Sequence, residues 1–161
     1  MAVDAATDTP VAVDFRQLDA EFPGSKFVLT QRHLPDWLDS CEALWKAHPN
    51  GFDAFASDIH RRIYGREDFD RTAFAEAYAR HFDAVRNHFA GRERDLLLID
   101  ICAGEGWERL CPFLGFDIPP DEFPRRNYRA NLGNDWVFDC PPYGTPVPRR
   151  DWNVDTPRGQ V

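Results

Sequence analysis

Residues 95–101 read Asp-Leu-Leu-Leu-Ile-Asp-Ile, a nearly continuous apolar run of strand length. A strand with one wet face alternates apolar and polar side chains, so a run without alternation predicts cover on both faces. Helical patterns stand on either side of it. Upstream, Phe74, Tyr78, Phe82, Val85 and Phe89 recur at helical spacing as far as Gly91, with Thr72 or Asp70 as the cap. Downstream, Trp107, Leu110, Cys111 and Leu114 mark a last helix closed by Gly115. A strand buried between helices is the signature of a parallel α/β layer structure.

The rest of the chain fits that frame. Phe15, Leu18 and Phe22 recur at helical spacing and stop at Pro23-Gly24. Residues 26–31, Lys-Phe-Val-Leu-Thr-Gln, form a second predicted strand. The next helix has Pro35 in its first turn and sets Leu34, Trp37, Leu38, Cys41, Leu44, Trp45 and His48 on one face, expected to bury against the sheet. Phe52, Phe55, Ile59, Ile63 and Tyr64 suggest a short helix before Gly65. The expected domain is α/β with a small parallel sheet over residues 1–117. Residues 118–161 hold eight of the 13 prolines and little periodicity. They read as an extended arm packed on the same domain through Trp136, Phe138, Tyr143 and Trp152.

Composition excludes several classes. A chain of 161 residues with 43% hydrophobic and 14% aromatic content is not disordered as a whole. No apolar run approaches the roughly 18 residues of a membrane span, and the N-terminus has no basic start or apolar signal core. A cytoplasmic protein is expected. The net charge of −8 opposes general nucleic-acid binding. Only two of the 19 basic residues are lysines, Lys26 and Lys46. The four cysteines, Cys41, Cys102, Cys111 and Cys140, form no CxxC pair and stand at no zinc spacing from histidine, so no metal is expected and reduced, buried thiols are.

The chemistry concentrates after the first strand. An Arg at the carboxyl end of a parallel strand faces the crevice where α/β folds bind ligands, and Arg32 has that place. Ser40, two turns into the next helix, lies at the margin of its apolar stripe and can reach the same crevice. A guanidinium fork with a hydroxyl donor suits a phosphate monoester. The spacing alone also fits a solvent-facing Arg and a surface Ser. His33 is a second titratable group beside the crevice, with a surface reading as its alternative. Asp100, at the other strand's end, suits a crevice role or a backbone hydrogen bond. His81 reads as structural, and His60, beside Arg61 and Arg62, as part of a solvated face.

The block from Lys26 to Ser40, with Arg32, Trp37 and Ser40 in register, resembles the bacterial P-loop sulfotransferases that use 3′-phosphoadenosine 5′-phosphosulfate (PAPS). So do Leu97-Leu98-Ile99-Asp100 through Gly104-Glu105-Gly106-Trp107 to Gly115, Phe123-Pro124 with Asn127, and Ile63-Tyr64-Gly65 followed by Tyr78 and His81. The order of these blocks is similar to the C-terminal two-thirds of that family. The resemblance implies a three-layer P-loop-like fold in which Arg32 and Ser40 hold the 3′-phosphate of PAPS or of its product, adenosine 3′,5′-bisphosphate (PAP). It also implies sulfuryl transfer to the hydroxyl of a small-molecule acceptor. Asp8, before Thr9-Pro10, resembles an acidic residue near the acceptor in the family and is the catalytic candidate; its alternative is a loose surface carboxylate.

The sequence also departs from the family. It has no GxxxxGK run or comparable glycine-rich loop to grip the 5′-phosphosulfate, so the first strand and its loop are expected to be missing. Gly104-Glu105-Gly106 is no substitute, because Glu105 repels phosphate. Position 33 is His where the family commonly has Asp, and Pro35 lies one place late. This chain alone is therefore expected to be incomplete for catalysis. The alternative is a non-catalytic nucleotide- or protein-binding relative. The uncovered sheet edge predicts self-association into a homo-oligomer or cover by the C-terminal arm.

Overall fold

Two four-residue strands, β1 (Phe27–Thr30) and β2 (Leu96–Ile99), pair in parallel in the computed structural model, which describes residues 5–124. Phe27 stands opposite Leu96 and Thr30 opposite Ile99. One further bond, from Gln31 N–H to the Ile99 carbonyl at 2.8 Å, carries the ladder to the residue before Arg32. The described helices are α1 (Thr9–Glu21), α2 (Leu34–Ala47), α3 (Ala54–Tyr64), α4 (Arg71–His88) and α5 (Trp107–Leu114). Helices α2 to α4 make the crossover that a parallel pair requires. Short 3-10 turns, Glu93–Asp95 and Ile101–Ala103, bracket β2.

The starts of α3 and α4 are set by side chains. Asp53 accepts the Ala56 N–H at 2.8 Å and Asp70 accepts the Ala73 N–H at 2.8 Å, satisfying donors that the first turn leaves open. Of the two candidate caps for α4, Asp70 fills the role. Gly65 closes α3 in the left-handed region at φ 75°, where a Cβ is disfavoured.

The expected α/β fold with its small parallel sheet is present. Phe15 of α1 packs with Val85 and Phe89 from α4 and its end, and this cluster lies on Phe27, Leu29 and Leu96 of the sheet. The alternate residues Leu97 and Ile99 are buried as well, and α5 packs on β2. Strand β2 is thus covered on both faces, as its unbroken apolar run predicts. β1 is not: its burial alternates, and Val28 remains exposed.

The stripe of α2 departs from expectation. Leu38 and Cys41 form a second cluster with Phe74 of α4, surrounded by Trp37, Trp45, Tyr64 and Phe69. That face therefore buries against α4 and the end of α3, helix on helix, rather than against the sheet. An amphipathic stripe specifies which face is buried and is indifferent to what buries it.

Two contacts continue past α5. Trp107 Nε1 donates to the Asp121 carbonyl at 3.0 Å, and the Phe123 ring sits 4.6 Å from that of Trp107. A Cβ at Gly106 would come within 2.9 Å of Phe123 Cγ, so this approach needs glycine. The expected arm anchors Trp136, Phe138, Tyr143 and Trp152 lie outside the described residues, as do Asn127 and Cys140. Of the other cysteines, Cys41 and Cys111 are buried and Cys102 is exposed, against the expectation of buried thiols. No helix among the described residues is long and apolar enough to cross a membrane.

Candidate functional site

The chain leaves β1 at Gln31 and enters α2 three residues later, so Arg32 and His33 form the turn at the strand's carboxyl end. Arg32 Nη1 donates to Ser40 Oγ at 2.8 Å, bringing together the two residues paired from sequence. Both are half-buried. Among the described residues the Arg32 guanidinium makes no ion pair with a carboxylate, unlike Arg61, Arg62, Arg66, Arg71, Arg80, Arg92, Arg94 and Arg109. A cation drawn out of water without a counter-charge is poised for an anion. The guanidinium has further N–H groups to offer beyond the one given to Ser40.

The backbone of Arg32 is held by α4. Tyr78 Oη accepts the Arg32 N–H at 3.1 Å and donates to the Arg32 carbonyl at 2.8 Å. The Tyr78 ring lies 4.9 Å from Trp37 and stacks on Phe82 at 4.5 Å. The sequence placed Tyr78 in an apolar stripe and missed this contact. The available signal was its hydroxyl, since a buried tyrosine tip needs a polar partner. Next to Ser40, burial pushes the Cys41 thiol up to about 12, partly offset by the charge of Arg32. At neutral pH Cys41 is an apolar wall of the site and no nucleophile.

The other candidates separate from this pair. His33 precedes α2 as its cap residue without a side-chain cap bond, and its exposed ring meets Asp36 at 3.2 Å. Its carbonyl accepts the Trp37 N–H at 3.0 Å, the first backbone bond of α2. Asp100 takes the backbone reading: Oδ1 accepts the Ala103 N–H at 2.9 Å and caps the turn after β2. Glu105 fills the same turn. Its Oε2 accepts the Asp100 N–H at 2.6 Å and its Oε1 pairs with Arg109, contacts that together hold the carboxyl below its ordinary range.

Asp8 precedes α1 with a left-handed backbone at φ 85°, its carbonyl accepting the Val11 N–H at 3.1 Å. It belongs to a different element from the Arg32–Ser40 pair. His81 is structural, edge-on to Phe15 at 6.0 Å, and burial followed by the charge of Arg16 lowers its pKa. His60 corrects the sequence reading of a solvated face. Its ring lies 4.7 Å from Trp45 and 4.6 Å from Phe52, its Nδ1 is buried without a hydrogen-bond partner, and burial lowers its pKa. No metal-binding group of His, Cys, Asp and Glu occurs among the described residues.

A family profile described as "Sulfotransferase domain" matches residues 1–132. The chain is also 28% identical to the Ava biosynthesis cluster protein M of Aspergillus versicolor, in an alignment covering 83% of this chain and 60% of that protein. It thus spans about three-fifths of the length of that relative. The profile covers most of the sequence, including both strands, the Arg32–Ser40 pair and α5. The chain belongs to the sulfotransferase family.

Proposed function

We propose that this domain binds a 3′-phosphorylated adenosine nucleotide, PAPS or PAP, through Arg32 and Ser40, as part of a PAPS-dependent transfer of a sulfuryl group to a small-molecule hydroxyl. The observation that carries the reading is the half-buried Arg32 guanidinium, bonded to Ser40 and unpaired by any described carboxylate. A phosphate monoester accepts from the remaining guanidinium N–H groups and from the Ser40 hydroxyl, which replaces lost hydration on both sides. In this reading Asp8 is the candidate on the acceptor side, and the protein works in the cytoplasm. The 161 residues carry no glycine-rich run for the 5′-phosphosulfate, so this chain by itself holds one end of the nucleotide.

A second reading is a non-catalytic nucleotide-binding relative, supported by the lack of a glycine-rich phosphosulfate run in these 161 residues. Titration calorimetry with PAP and 5′-AMP tests the shared core of both readings. Wild type is expected to prefer PAP. Arg32→Ala should weaken PAP by roughly 10- to 100-fold, as one charged hydrogen-bond set is lost, and Ser40→Ala by less. Neither should change 5′-AMP binding. Equal affinity for the two nucleotides would dismiss the 3′-phosphate reading.

A further inference from the structure

We infer that Tyr78 is the positioning residue of the Arg32–Ser40 cradle and sets how strongly a 3′-phosphorylated nucleotide is preferred. The inference rests on the nucleotide reading above and names the residue that makes that cradle selective. Arg32 is the first residue beyond the β1–β2 ladder, whose last bond is the one from Gln31 to Ile99. Its own N–H and carbonyl therefore lack a strand partner. One hydroxyl serves both: Tyr78 Oη accepts from the N–H and donates to the carbonyl, as a paired residue on a neighbouring strand would. No apolar side chain can replace it, and the two bonds fix the peptide on each side of the Arg32 Cα. Angular slack at that Cα would be magnified along the length of an arginine side chain.

The hydroxyl is itself held still. Phe82 stacks on the ring at 4.5 Å, and Trp37, from α2, lies 4.9 Å away. One turn before Tyr78 on the same face of α4, Phe74 is fully buried with Leu38 and Cys41, which flank Ser40 on α2. Helix α4 thus sets Arg32 through the Tyr78 hydroxyl and Ser40 through the Phe74 packing. The separation of the two phosphate donors is fixed by one rigid element, 46 residues along the chain from Arg32. Preorganisation of this kind raises affinity for the ligand that uses both donors and leaves other ligands unaffected.

The test is Tyr78→Phe in the 161-residue chain, with PAP and 5′-AMP titrated calorimetrically. The substitution keeps the ring and deletes both bonds. PAP affinity is expected to fall about 3- to 10-fold, with 5′-AMP unchanged. In an Arg32→Ala background the same substitution should no longer alter PAP binding. A merely structural role would weaken both nucleotides alike and act independently of Arg32, and either result overturns the inference. If wild type shows no preference for PAP, the nucleotide reading fails and this inference with it. If wild type prefers PAP and Tyr78→Phe prefers it equally, only the role of Tyr78 falls. Phe82→Leu, which loosens the ring's seat and keeps the hydroxyl, covers the case of a variant too unstable to titrate. It should lower the same preference about twofold or more, and an unchanged preference would overturn the inference.

Discussion

Arg92 and Arg32 use one kind of side chain in two ways. Arg92 forks onto Asp19 with both terminal nitrogens at 2.7 Å and reaches Asp95 through Nε at 3.1 Å, tying α1 to the segment before β2. His88 joins at 2.8 Å, and the Asp19 carboxylate is only 8% exposed. The bonds from Arg92 outweigh the opposing effect of burial, and with His88 they hold the Asp19 carboxyl well below the ordinary aspartate range. A carboxyl with a depressed folded-state pKa stabilises the fold above its unfolded value of about 3.9, and that contribution fades as pH falls through the folded value. Asp19→Asn should therefore be clearly less stable than wild type in urea titrations at pH 7, with the gap closing as pH drops below about 4. A gap constant from pH 7 to pH 2 would contradict this account. The Arg32 guanidinium, by contrast, meets only a hydroxyl among the described residues. Its pairing with Ser40 was legible because strand end and helix phase fix where the two side chains point. The place of His60 was not, because neighbouring Arg61 and Arg62 suggested solvent, whereas His60 follows buried Ile59 and shares the inward side of α3 with Tyr64, four residues on.

At the scale of elements, the two strands and the cap of α4 were legible because each follows from a local rule: an unbroken apolar run, a run of strand formers, an Asp before a helix. The Asp53 cap of α3 was not read. What each helix packs against was not local and was misread for α2. Its stripe meets Phe74 and Tyr64, which stand 33 and 23 positions along the chain from Cys41, distances over which a helical pattern carries no information. The roles along α4 can be separated experimentally. Asp70 caps the helix through Ala73 and pairs with Arg66 at 3.3 Å, remote in function from the Arg32 backbone that Tyr78 holds. Asp70→Ala should cost about 1 kcal/mol of stability, read as a lower urea midpoint with an unchanged slope. It should leave the ratio of PAP to 5′-AMP affinity at the wild-type value. A changed ratio would mean that the whole helix, and not the Tyr78 hydroxyl, tunes the cradle.

For the whole molecule, the family was legible from the order of several blocks between residues 8 and 128, which together carry more than any one alone. The acceptor was not, since the loops that would shape its pocket follow no periodicity. The same sequence allows a strong statement about rate. Sulfuryl transfer places developing charge on the leaving phosphate and needs donors fixed there, terms worth several kcal/mol of transition-state stabilisation. Arg32 and Ser40 act at the opposite end of the nucleotide, on a phosphate that does not react, and so supply binding that is equal in ground and transition states. Such uniform binding lowers the concentration needed for saturation without raising turnover. At the end of β2, Glu105 is bound to the Asp100 N–H and paired with Arg109, so this turn offers no free cation to a leaving phosphate. The net charge of −8 gives no compensating field. The purified 161-residue chain should therefore bind PAP and yet show negligible transfer from PAPS to a simple phenol or alcohol, followed by chromatographic detection of PAP formation. Turnover on the order of 1 per second or faster would show that residues already present grip the phosphosulfate, and the proposal of an incomplete chain would have to be abandoned.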